Sequence, residues 1–96
     1  MNKYEIMFIV KTTIDEAEVK NCASSLKAII TDMKGAVIEF KEMGQKELAY
    51  PIKKEISGFY YLLVCNSDAD AIAEFDRKAG IDENVLRHLI IKLDEE

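Results

Sequence analysis

One histidine, one proline, two cysteines and four glycines occur in 96 residues, and each scarcity removes a class of function. The lone histidine, His88, has no cysteine or histidine cluster around it, so neither a zinc site nor a histidine-based catalytic constellation is expected. It reads as a half-buried strand residue. Cys22 and Cys65 share no motif spacing and have no evident basic neighbour to lower their pKa. They read as small buried hydrophobes of a reducing compartment. Gly35, Gly44, Gly58 and Gly80 stand isolated, which excludes a glycine-rich phosphate cradle, and no serine lies in a nucleophile elbow. No run approaches the roughly 18 apolar residues that span a bilayer. The N-terminus lacks the basic and then apolar segment of a signal peptide. No enzymatic activity, metal, cofactor, small-molecule substrate or membrane partner is expected.

Hydrophobic residues make up 49% and charged residues 32%, the composition of a globular chain. The length suits one domain over residues 1–96, ending in a short acidic tail, Asp94-Glu95-Glu96. A formal net charge of −5 argues against a stand-alone, non-specific nucleic-acid binder.

Periodicity supplies the elements. Between Lys3 and Val10, Tyr4, Ile6, Phe8 and Val10 share one parity, while Met7 and Ile9 lie on the other. That pattern predicts a central strand with apolar contacts on both faces. Asp15 followed by Glu18 fits a capping box opening a helix. Val19, Cys22, Ala23, Leu26, Ile29, Ile30 and Met33 then recur at steps of three and four, and Gly35 stands where a left-handed cap would close the helix. A second strand starts at Ala36, is punctuated by Gly44 and resumes over Leu48 to Ile52. Pro51 cannot donate a ladder hydrogen bond, which assigns this strand to a sheet edge or a bulge. Residues 53–58 read as a hairpin loop, and Phe59 to Cys65 as the third strand.

Ser67 or Asp68 caps a shorter helix with Ala71, Ile72, Phe75 and Ala79 inward and Gly80 closing it. Val85 to Leu93 is the last strand. The order β-α-β-β-α-β is the split βαβ, ferredoxin-like arrangement of the α+β class. Right-handed crossovers then place both helices on one face of a four-stranded antiparallel sheet of order 4-1-3-2. The strands are apolar on two parities, yet helices cover one face only. The uncovered face is expected to meet something else.

Two charged groups remain. Asp68, Asp70, Glu74 and Asp76 crowd the second helix's first turns, where the helix dipole favours acids. They lack the glycine and distal glutamate of a calcium loop. Between positions 34 and 54, Lys34, Lys41, Lys46, Lys53 and Lys54 outnumber Glu39, Glu42 and Glu47, with Tyr50 among them. A lysine hairpin beside an aromatic suits phosphate contact and base stacking. It also suits a solvated edge that discourages strand pairing, and charge alone favours this second reading.

The run from Gly44 to Lys54, with Leu48-Ala49-Tyr50-Pro51-Ile52 at its centre, resembles the signature of the bacterial small-subunit ribosomal protein S6 family. The resemblance covers essentially the whole chain. Tyr4-Glu5 opens the first strand as in that family, Gly35 precedes the second, Gly58 and its aromatics start the third, and Asn84 to His88 enters the fourth. It implies a structural component of the small ribosomal subunit, cytoplasmic and ribosome-associated. Such a protein pairs with the small basic ribosomal protein S18 and binds the central domain of small-subunit ribosomal RNA, on the platform.

On this resemblance Lys46, Lys53, Lys54 and Arg87 match basic positions and are the candidate RNA contacts. Tyr50 is a candidate for stacking or hydrogen bonding, with edge-strand packing as the equal alternative. Leu48 and Ile52 are expected in the core. Glu47 stands where many relatives carry a second base, and the chain ends soon after the last strand. Both features imply a lighter direct RNA footprint. A ferredoxin-like regulatory module that binds a small molecule is the alternative reading, and a small enzyme of dimeric ferredoxin-like type a more distant one.

Overall fold

The computed structural model describes residues 2–93. Its elements are β1 (Asn2–Lys11), α1 (Glu16–Asp32), β2 (Ala36–Ile52), β3 (Glu55–Ser67), α2 (Ala69–Ile81) and β4 (Val85–Leu93). The strands form one sheet of order β2-β3-β1-β4, every neighbouring pair antiparallel. This is the ferredoxin-like arrangement, with β2 on an edge as Pro51 requires. The acidic residues 94–96 lie outside the described residues.

The alternation in β1 sorts the two faces. Tyr4, Ile6, Phe8 and Val10 are all buried under the helices. There they meet Val19, Cys22, Ala23, Leu26 and Ile30 of α1, and Ala71, Phe75 and Ala79 of α2. The Phe8 ring stacks on Tyr61 at 5.2 Å and meets Phe75 edge-on at 6.1 Å. Burying side chains such as Phe8, Phe75, Ile6 and Leu63 is worth about 1.5–3 kcal/mol each. The opposite face is open. On it Met7, Leu89 and Ile91 remain 36%, 53% and 45% exposed, with Met7 paired between Leu62 and Leu89.

Several local expectations are corrected. Asp15 and Asp68 occupy the N-cap positions, but neither side chain bonds the helix, so the capping box does not form. Met33 is the C-cap of α1 and is 38% exposed rather than inward. The left-handed residue after α1 is Lys34, at φ 67°, and not Gly35. Gly35 is required for another reason. A Cβ there would stand 2.7 Å from Ile30 Cγ2 and 3.0 Å from the Asn66 carbonyl oxygen. Gly80 lies inside α2, which runs on to Ile81.

β2 is one strand rather than two pieces. Its pairing with β3 shifts between Val37 and Glu39, between Glu42 and Gly44, and between Glu47 and Ile52. Gly44, at φ 87°, sits at the second irregularity, where a left-handed residue lets an edge strand bulge and continue. The expected loop at 53–58 shrinks to a two-residue turn, because β3 already begins at Glu55.

Candidate nucleic-acid interface

The β2–β3 hairpin is longer than the sheet it belongs to, and its far end is anchored on the open face. Leu48 is buried against Ile9 and Leu86, with Ile52 and Tyr60 packed alongside. This second, smaller apolar cluster depends on a bulge. Ile9 pairs with Arg87 but Val10 pairs with Val85, which leaves Leu86 as the extra residue on β4. Val85 therefore joins the main core while its neighbour Leu86 joins the small cluster.

Polar contacts fasten the same region. The Lys53 ammonium donates to the Val85 carbonyl at 3.1 Å, and Arg87 Nη1 donates to the Tyr50 hydroxyl at 2.6 Å. On the other side of the hairpin, Thr13 donates to Glu55 at 3.0 Å and the Thr12 and Ser57 hydroxyls stand 3.1 Å apart. The turn itself consists of Lys53 and Lys54 at φ 50° and 68°. Two consecutive left-handed residues suit the twist of a tight hairpin, but that role usually falls to asparagine and glycine. Each non-glycine residue held there costs roughly 1–2 kcal/mol.

The five sequence-derived site residues thus have different surroundings. Tyr50, Lys53 and Arg87 converge at the start of β4. Lys46 lies farther down β2, its ammonium 5.6 Å from the centre of the Tyr60 ring. Lys54 is exposed at the turn and has no hydrogen-bond or ion-pair partner among the described residues. Arg87 is likewise exposed, and no carboxylate pairs with it among the described residues. Tyr50 is 56% exposed, with its hydroxyl on Arg87. Leu48 is buried as expected, whereas Ile52 is only half-buried and packs against the small Ile9–Leu48–Leu86 cluster rather than entering the core. The Val85 carbonyl that Lys53 bonds has no sequence signal, because a backbone acceptor leaves no mark in a sequence.

The two cysteines and the histidine side chain lie on the helix-covered side, away from this region. Burial, then the charge of Asp82 and its hydrogen bond from the thiol, push Cys22 up to about 12. Burial raises Cys65 as well. His88 Nε2 meets Asp76 Oδ1 at 2.7 Å, a contact between β4 and α2 on the helix-covered side. Among the described residues no three histidine, cysteine or acidic side chains gather around a metal position.

A family model described as "Ribosomal protein S6" matches residues 3–92. The chain belongs to the ribosomal protein S6 family. It is 40% identical over 92 residues to a protein named small ribosomal subunit protein bS6 from Phytoplasma australiense, covering 96% of this chain and 99% of that protein. A crystal structure of 30S ribosomal protein S6 from Thermotoga maritima superposes with a TM-score of 0.90 at 27% identity, over 96% of this chain and 87% of the other. An uncharacterized protein of Thermotoga maritima shares the fold alone, at TM-score 0.63 and 18% identity, over 97% of this chain and 98% of that one. As an S6 family member the chain is a structural component of the small ribosomal subunit and not an enzyme. Association with ribosomal RNA and with other subunit proteins follows from that membership.

Proposed function

We propose that this S6 family chain forms a heterodimer with ribosomal protein S18 and, in that form, binds the central domain of small-subunit ribosomal RNA on the platform. The whole chain acts as one domain in the cytoplasm, on the ribosome. One observation carries the reading: the exposed apolar face of the sheet lies directly beside a group of cations. Met7, Leu89 and Ile91 are solvent-exposed on the uncovered side, and the row ending in Arg87 borders them. An acidic protein can sit on RNA when a basic partner supplies much of the phosphate neutralisation. Apolar strand surface suits the protein contact, and charge complementarity speeds the encounter. Lys46, Lys54 and Arg87 then lie on the RNA side, with Tyr50 and Lys53 beside them. The RNA junction is recognised through phosphates, 2′-hydroxyls and exposed bases.

Calorimetric titration of S18 into the chain tests the protein half of this reading. Leu89→Asp puts a charge at an exposed position without disturbing the core, and binding at least tenfold weaker than wild type is expected. Equal affinity of the two chains would remove the open face from the interface.

A further inference from the structure

Resting on the RNA reading above, we infer that Tyr50 is a positioning residue for Arg87, and that Lys53 is a strut of the hairpin rather than a phosphate contact. The two residues of the first pair come from opposite ends of the chain's second half, 37 positions apart, yet Arg87 Nη1 donates to the Tyr50 hydroxyl at 2.6 Å. A guanidinium on an exposed strand samples many rotamers, and ordering it on binding costs free energy. A neutral acceptor holds it in one orientation without cancelling its charge, whereas a carboxylate would neutralise it. Arg87 has such an acceptor and no carboxylate partner among the described residues. Its remaining donors stay available for a planar, forked contact with a phosphate.

Lys53 explains how Tyr50 comes to be there. Pairing with β3 lapses between Glu47 and Ile52, so the ladder does not hold Tyr50 in place. The segment is instead pinned on both sides: Leu48 is buried in the Ile9–Leu86 cluster, and the Lys53 ammonium bonds the Val85 carbonyl at 3.1 Å. The left-handed turn at Lys53 and Lys54 divides the two lysines between tasks. The first is bonded back to β4, and the second has no partner among the described residues and stands at the tip. At the hairpin tip the RNA-facing cations are therefore Arg87 and Lys54, and Lys53 is not one of them.

The test is a salt series of binding to central-domain ribosomal RNA with S18 present, for the wild type, Tyr50→Phe, Arg87→Ala, the double variant, Lys53→Met and Lys54→Ala. Tyr50→Phe removes no charge and keeps the exposed ring, so a role in packing or direct stacking leaves the salt slope unchanged. Positioning predicts roughly 3- to 10-fold weaker binding together with a shallower slope, moved toward that of Arg87→Ala, which itself loses about one unit. In the Arg87→Ala background Tyr50→Phe then has no further effect. Lys54→Ala lowers the slope by about one unit, while Lys53→Met keeps the wild-type slope. An unchanged slope for Tyr50→Phe, or effects that simply add with Arg87→Ala, would overturn the positioning role. A one-unit loss for Lys53→Met would overturn the strut. Absence of binding by the wild type, with S18 shown to be paired, would instead bring down the RNA reading on which both rest.

Discussion

Nε2 of His88, on the edge strand β4, lies 2.7 Å from Oδ1 of Asp76, on the helix that covers it. The only histidine of the chain is thus tied to structure, joining an edge strand to α2 across the helix-covered face. Asp76 is largely solvated, so solvent screens most of the interaction. A double-mutant cycle with Asp76→Ala and His88→Ala in urea unfolding is expected to give a coupling of about 0.2–1 kcal/mol. A coupling indistinguishable from zero would mean that the two groups are merely adjacent.

Two glycines are expected to respond in opposite directions to alanine. At Gly35 the added Cβ meets the Ile30 carbonyl oxygen at 2.9 Å and the Asn66 carbonyl oxygen at 3.0 Å, both backbone atoms that move little. Gly35→Ala should destabilise by about 1–3 kcal/mol. Gly80 lies within α2 with open space around it, so Gly80→Ala should stabilise by about 0.5–1 kcal/mol. Denaturant midpoints of both variants check the pair.

The Lys53-Lys54 turn separates stability from binding. Lys54 holds φ 68° with no partner for its ammonium among the described residues, and glycine adopts that conformation freely. Lys54→Gly is expected to raise unfolding free energy by up to about 1 kcal/mol while weakening RNA binding and lowering its salt slope by about one unit. Such a divergence marks strain retained at a working position. A variant that is both less stable and unaltered in binding would contradict it.

The buried thiol of Cys22 sets an alkaline limit. Its pKa rises from 9.0 to about 12 on folding, chiefly through burial, so the folded state holds the proton more tightly than the unfolded chain does. The corresponding stability is complete below about pH 9 and is lost as pH climbs through the window toward 12. Urea midpoints at pH 8 and pH 10 should therefore fall less steeply for Cys22→Ala than for the wild type. Native-state labelling of Cys22 by a thiol reagent at pH 8 should be far slower than labelling of the unfolded chain.

Much of the fold is legible where side-chain period and burial agree. Tyr4, Ile6, Phe8 and Val10 fill one face because period-two alternation is all that a paired, unbulged strand requires. Pro51 assigns β2 to an edge because a missing N–H is a property of one residue. Legibility fails where backbone geometry replaces side-chain pattern. Three register shifts carry β2 through Gly44 as a single strand, and parity counting loses phase at each shift. The turn at Lys53 and Lys54 lacks the asparagine or glycine that announces such turns, so the sequence suggests a longer loop there. At the candidate site the charged residues are visible in sequence but their partners are not. Nothing local links Tyr50 to Arg87, or Lys53 to a carbonyl of β4. Those contacts exist because a bulge at Leu86 and the burial of Leu48 bend the hairpin onto the sheet.

The most direct measurement is binding of the wild-type chain to central-domain ribosomal RNA across a salt series, with and without S18. Tight, steeply salt-dependent binding is expected only when S18 is present, with a slope that reports the combined cations of both proteins. Failure to bind folded RNA in the presence of S18 would contradict assembly as a heterodimer on the platform.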